Sequence, residues 1–85
     1  MTETEAFYAA VKGDAKAITA VVEQYTPLVH KIVNKYSWMA LRHTREDLIQ
    51  EGLQGIVKAI ETFDISKKVQ PMTWIYPQIR GAVQV

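Results

Sequence analysis

Cysteine is missing from all 85 residues, which rules out a disulfide-stapled scaffold and any thiolate-ligated zinc site. Glycine and proline are scarce, four and three residues, too few for a disordered linker or a collagen-like or low-complexity segment. No apolar run approaches the roughly 20 residues that a membrane-spanning helix needs. The opening Met1-Thr2-Glu3-Thr4-Glu5 is acidic and lacks the basic n-region of a secretory signal, so the expectation is a soluble, cytoplasmic protein. A dominant charge of one sign is also absent: the net charge is +1. Divided along the chain, however, residues 1–27 hold four acids against two bases, and residues 28–85 hold eight bases against five acids. That asymmetry permits contact with phosphate without demanding it. What is present is globular in character, 48% apolar and 22% charged. A chain of this length buries roughly 60–65% of its unfolded surface, enough for one modest core. The expectation is a single domain over residues 1–85 with no internal linker.

Period-two alternation is almost absent, and apolar residues recur at helical spacing instead. A first helix is predicted from Glu3 to Lys12, ended by Gly13, with Asp14 as N-cap of the next. A second covers Ala15 to Tyr25, burying Ile18, Val21, Val22 and Tyr25. Thr26-Pro27 reads as an N-cap followed by proline at the first helical position, opening a third helix to about Trp38. The spacing leaves open whether these are two helices or one kinked rod. After a polar connection at Arg42-His43-Thr44, a capping box of Thr44 and Asp47 starts a helix from Arg45 to Phe63. Its predicted apolar face is Ile49, Leu53, Ile56, Ile60 and Phe63. A last helix is predicted to begin near Thr73 or Tyr76, because Pro77 belongs in a first turn, and to run to Val85. The fold class is all-α, a bundle of about four to five helices.

Catalytic constellations are weak. His30 and His43 are thirteen residues apart with no metal-ligand spacing. Ser37 and Ser66 lie in no nucleophile elbow, and Gly52 and Gly55 fall inside a helix, where they cannot cradle phosphate. The expectation is a protein that is not an enzyme and needs no cofactor or metal. Two other constellations carry more. Asp47, Glu51, Gln54, Lys58 and Glu61 recur at four, three, four and three, a polar stripe opposite the core with Gln50 beside it. Spacing alone reads this as a solvated face. Two glycines in one turn nevertheless cost roughly 1 kcal/mol each against alanine, so another backbone is expected to come close there, from inside the fold or from a partner. The second constellation runs from Lys67 to Gln84 and mixes bases, aromatics and amides. Aromatic faces stack on unpaired bases while Lys and Arg hold phosphates. Against that, Trp74 and Tyr76 read equally as core, at least one of them, since residues two apart leave a helix on different sides.

The run Asp47-Leu48-Ile49-Gln50-Glu51-Gly52, followed by Gly55, Ala59 and Phe63-Asp64, resembles region 2 of the bacterial sigma-70 family of RNA polymerase sigma factors. So does Thr73-Trp74-Ile75-Tyr76-Pro77-Gln78-Ile79-Arg80-Gly81-Ala82, and the likeness extends over about residues 8–85. The resemblance implies leading helices over about 8–40, a polymerase-docking helix over 44–63 and a promoter segment over 64–85. It implies that Asp47, Gln50, Glu51 and Gln54 dock on the clamp helices of the β′ subunit of core RNA polymerase. It further implies that Lys67, Lys68, Thr73, Trp74, Tyr76, Arg80 and Gln84 engage the −10 promoter element and its non-template strand. Departures accompany the match. Leu53 stands where the family has an asparagine, Pro77-Gln78 replaces the paired tryptophans that wedge the duplex open, which resembles alternative or phage factors, and Pro71-Met72 replaces Phe-Ser. The sequence as given ends early in the promoter-reading helix, so the expectation is either a stand-alone piece, working with a second chain that supplies region 4 for −35 recognition, or a fragment of a larger factor; an anti-sigma factor is a further implied partner. Two rival classes stand beside this one, a helix-turn-helix regulator of duplex DNA and a protein-interaction module without DNA binding.

Overall fold

The computed structural model describes residues 2–36, 44–64, 66–67 and 69–83. Four helices appear among them: α1 (Glu3–Val11), α2 (Ala15–Tyr36), α3 (Arg45–Thr62) and α4 (Pro71–Val83). The expected all-α architecture is present. The predicted features at Ser37, Trp38 and Arg42-His43, and those at Lys68 and Gln84, lie outside the described residues.

Local chemistry explains most boundaries. Thr2 caps α1, its Oγ1 accepting from Glu5 N at 3.2 Å while the Glu5 carboxylate takes Thr2 N at 3.4 Å, a reciprocal arrangement that satisfies two orphan donors. At the other end, Gly13 N donates to Ala10 O at 2.9 Å and Asp14 N to Ala9 O at 3.1 Å. This Schellman motif needs a residue with positive φ, and Gly13 supplies it at +99°. Asp14 then caps α2 as expected, its Oδ1 accepting from Lys16 N at 3.0 Å and Ala17 N at 3.3 Å. Thr44 and Asp47 form the expected capping box of α3.

One open alternative is resolved and one expectation corrected, both at proline. Thr26-Pro27 does not open a new helix: α2 runs unbroken through Pro27 for 22 residues. Thr26 caps nothing; its hydroxyl donates back to Val22 O at 2.7 Å. The carbonyl deprived of a partner by Pro27 belongs to Glu23, and both residues are exposed, so water can take the bond that the ring removes. Pro77 likewise lies inside α4 rather than in its first turn, which Pro71 occupies instead. Pro77 and Thr73, whose carbonyl it leaves unpaired, are both exposed. The last helix therefore starts earlier than Thr73 or Tyr76, with Gln70 O accepting from Thr73 N at 3.0 Å and Trp74 N at 3.4 Å.

One apolar cluster joins all four helices. Phe7 of α1, Val21, Val29 and Val33 of α2, Ile56 of α3, and Ile75 and Ile79 of α4 are at most 1% exposed. Burying each such side chain contributes about 1.5–3 kcal/mol. The buried face of α3 is rotated from the predicted one: Leu48, Gly52, Gly55 and Ala59 join Ile56 and Ile60 inside, while Ile49 and Leu53 are half-buried. The rotation follows from α4, which lies antiparallel against the glycine side of α3. A Cβ on Gly55 would stand 3.0 Å from Gln78 O and 3.2 Å from Ile79 Cα, and one on Gly52 would stand 2.6 Å from Val29 Cγ1 and 3.4 Å from Val83 Cγ2. The backbone approach anticipated here is thus supplied from within the fold at Gly55, whereas Gly52 is approached by the side chains of Val29 and Val83.

Candidate polymerase-docking and nucleic-acid surfaces

Turning the glycine side of α3 inward turns its polar stripe outward. Asp47, Gln50, Glu51, Gln54, Lys58 and Glu61 are all exposed. Asp47 is partly engaged, because its Oδ2 accepts from Thr44 N at 3.3 Å in the cap. Glu51, Gln54, Lys58 and Glu61 form one wall of an open groove whose other wall is Pro77, Gln78, Gly81 and Ala82 of α4. Val57 lines it too and is 37% exposed. Sequence reasoning found the acidic wall and missed the α4 wall and Val57. A signal for the α4 wall was available in Gly81, a glycine within a helix. A Cβ there would meet nothing within 4 Å, so no neighbour in the fold demands it.

The predicted DNA-binding residues divide into two sets. Thr73, Tyr76 and Arg80 follow one another at three and four residues along α4, which places them on one stripe. Thr73 and Arg80 are exposed and Tyr76 is half-buried. Trp74 lies about 100° around the helix from Thr73, on the side facing α3. Its Nε1–H donates to Ala59 O at 2.9 Å, one of the last four carbonyls of α3, which a helix end leaves short of partners. That helix has no basic residue in its last turn, so an indole from the neighbouring helix serves where a lysine or arginine often does. The Trp74 ring also stands edge-on to Phe63, centroids 5.5 Å apart at 81°, and Phe63 meets Phe7 at 4.8 Å and 80°. Trp74 and Tyr76 each pack against the core while remaining partly exposed.

The loop before α4 is ordered by Asp64, whose Oδ1 accepts from Ser66 N at 2.9 Å and Ser66 Oγ at 2.6 Å, while its carbonyl takes Lys67 N at 3.0 Å. The Ser66 hydroxyl, then the Ser66 N–H and the Lys67 charge, hold the Asp64 carboxyl below its ordinary pKa. This turn places Lys67 so that its Nζ lies 5.6 Å from the Trp74 ring centroid. The buried Tyr25 hydroxyl donates to the Glu3 carboxylate, tying α2 to α1. Burial first, then the bond to Glu3 and its charge, raise the Tyr25 pKa.

Among the described residues no group of three or more His, Asp or Glu side chains could hold a metal ion, and no helix is long and apolar enough to cross a membrane.

Residues 21–84 match the family model described as Sigma-70 region 2. The chain is 32% identical over 72 residues to the RNA polymerase sigma-F factor of Bacillus licheniformis, covering 85% of this chain and 28% of that protein. It is 30% identical over 73 residues to the sigma-F factor of Priestia megaterium, covering 86% and 28%. The sigma-F factor of Bacillus subtilis is 29% identical over 72 residues, covering 85% and 28%. This chain therefore spans little more than a quarter of the length of these curated relatives. No solved structure matches it.

Proposed function

Because the chain belongs to the sigma-70 region 2 family, we propose that it is the part of a sigma factor that holds core RNA polymerase and engages the promoter −10 element in transcription initiation. It acts as one unit over residues 1–85, performs no chemistry of its own and contributes positioning and strand capture to the polymerase. The observation that carries this reading is the exposure of Gln50, Glu51 and Gln54 on a helix whose opposite face is locked into the core. These side chains are available to a partner at little cost to the fold.

The docking partner is a basic helical surface, in keeping with the β′ clamp helices. Glu51 and Glu61 on the groove wall give it orientation and on-rate as much as affinity. Lys67, Thr73, Tyr76 and Arg80 then face promoter DNA, and Trp74 offers a ring face to a base of the melted non-template strand. A shortage of base-reading side chains on α4, where Gln78 and Arg80 are the chief candidates, disfavours a duplex-reading regulator. Binding of the 85-residue chain to core polymerase, with Glu51→Arg as paired control, tests the reading. Micromolar or tighter binding that the charge reversal abolishes supports it; no binding by either protein refutes it.

One observation favours a second reading, a polymerase-binding module without DNA contact: Trp74 uses its N–H on Ala59 and part of its ring on Phe63. Polymerase affinity without affinity for single-stranded −10 DNA at any salt concentration would select it.

A further inference from the structure

The Trp74 indole is fixed at its edges. Its polar edge is bonded to Ala59 O at 2.9 Å, and its ring meets Phe63, which is itself wedged against the buried Phe7. A ring held this way cannot swing toward a ligand, so a ligand must come to it. The Lys67 ammonium lies against that ring, 5.6 Å from its centroid. Lys67 is exposed, and its backbone is pinned by the Asp64 turn, but four methylene groups leave its charged end mobile. The fixed group and the movable group are therefore distinct residues in contact.

We propose that Lys67 is a displaceable cap on the ring of Trp74, giving up its place to an unpaired nucleobase of a single strand and moving to the phosphate beside that base. The proposal rests on the reading that α4 meets a single strand, and adds how that strand is distinguished from other ligands. An exposed cation–π contact is weaker than a base stacked on an aromatic ring, and the displaced charge is transferred to a phosphate rather than left unpaired. The exchange is thus favourable only for a ligand that offers a free base face next to a phosphate. Inorganic phosphate offers no face, and a duplex has its faces already stacked. Both leave the cap in place.

The test follows the Lys67 ε-methylene protons by NMR in the 85-residue chain during titration with a thymidine octanucleotide. In the free protein the ring current of Trp74 holds them upfield. At saturation they should reach the position of a solvated lysine, while the Trp74 Nε1–H signal keeps its protection because the bond to Ala59 persists. Protons that are not upfield in the free protein, or that stay upfield in the complex, overturn the cap while leaving single-strand binding intact. An octanucleotide that shifts no α4 resonance overturns single-strand binding and the cap together. A duplex of mixed sequence should leave the Lys67 protons unmoved, and equal movement with duplex overturns the selectivity.

Lys67→Met supplies an independent check. Affinity for the octanucleotide should fall about threefold to tenfold and the slope of log affinity against log salt should flatten by about 0.7, with Lys67→Arg restoring both. A methionine variant that binds as well as wild type at every salt concentration overturns the proposal.

Discussion

The inner and outer faces of α3 follow different rules although they alternate along one helix. Inside, Gly52 and Gly55 stand where even a methyl group would press on Val29 or on the backbone of α4. Outside, Gln50, Glu51 and Gln54 are exposed. Residues on the first face are constrained by neighbours already in the chain, and those on the second are left free by them. On the proposed reading, the helix separates stability from recognition within a single turn. Gly81 extends the contrast to α4: it is a helical glycine with open space around it, belonging by residue type to the inner face and by surroundings to the outer.

The largest effect should come from filling the inner face. Gly55→Leu places a branched side chain against Gln78 O and Ile79 Cα, and overpacking against backbone should lower unfolding free energy by about 3 kcal/mol, read from urea denaturation. A variant as stable as wild type would break the distinction at its base. Next is the outer face: Glu51→Arg should change stability by no more than about 0.5 kcal/mol while weakening polymerase binding by about 2 kcal/mol or more. Calorimetry and a binding titration on one preparation separate the two, and a large loss of stability would mean that the outer face is structural as well.

A smaller effect sharpens the inner account at the α1–α2 contact. Tyr25→Phe removes the hydroxyl bonded to Glu3 and should cost about 1 kcal/mol at neutral pH. Because the folded state raises the Tyr25 pKa, the stability linked to its proton is complete below the unfolded value of about 10. It is lost as pH rises toward the folded one. Denaturation midpoints of wild type should therefore drop above pH 10 more steeply than those of Tyr25→Phe, and parallel curves would remove Tyr25 as the cause. The smallest effect belongs to Gly81→Ala, which should stabilise the protein by about 0.5–1 kcal/mol. If it also weakens polymerase binding, the α4 wall of the groove belongs to the recognition face; unchanged binding confines that face to α3.

Much of this arrangement was legible beforehand, and the reasons are local. The caps at Asp14 and Thr44 and the stop at Gly13 are short-range hydrogen bonds written in adjacent residues. The glycine pair announced a close approach, because its cost needed an offset. Pro27 was left open and Pro77 misread because proline breaks a helix only where the lost bond matters, and whether Glu23 and Thr73 face solvent depends on tertiary packing. The same dependence hid the rotation of the α3 face toward α4. Trp74 was ambiguous for a different reason: its ring is shared between the core and the surface, and its N–H finds Ala59 fifteen residues away. The groove is built from two helices: its α3 wall was legible as a polar stripe, and its α4 wall had no signal except Gly81.

Phe7 carries a practical consequence. It lies before the segment matched by the family model, which begins at residue 21, yet it is 1% exposed and packed on Phe63. The unit that folds is therefore larger than the segment that the family model matches. A chimera assembled at the edges of that segment would sever α2 partway along, discard α1 and uncover Phe63 beside Trp74. Any loss of binding would then look like a change of specificity when it was only a missing buttress. Exchange of such modules between factors should take its seams from the aromatic packing, and carry α1 along.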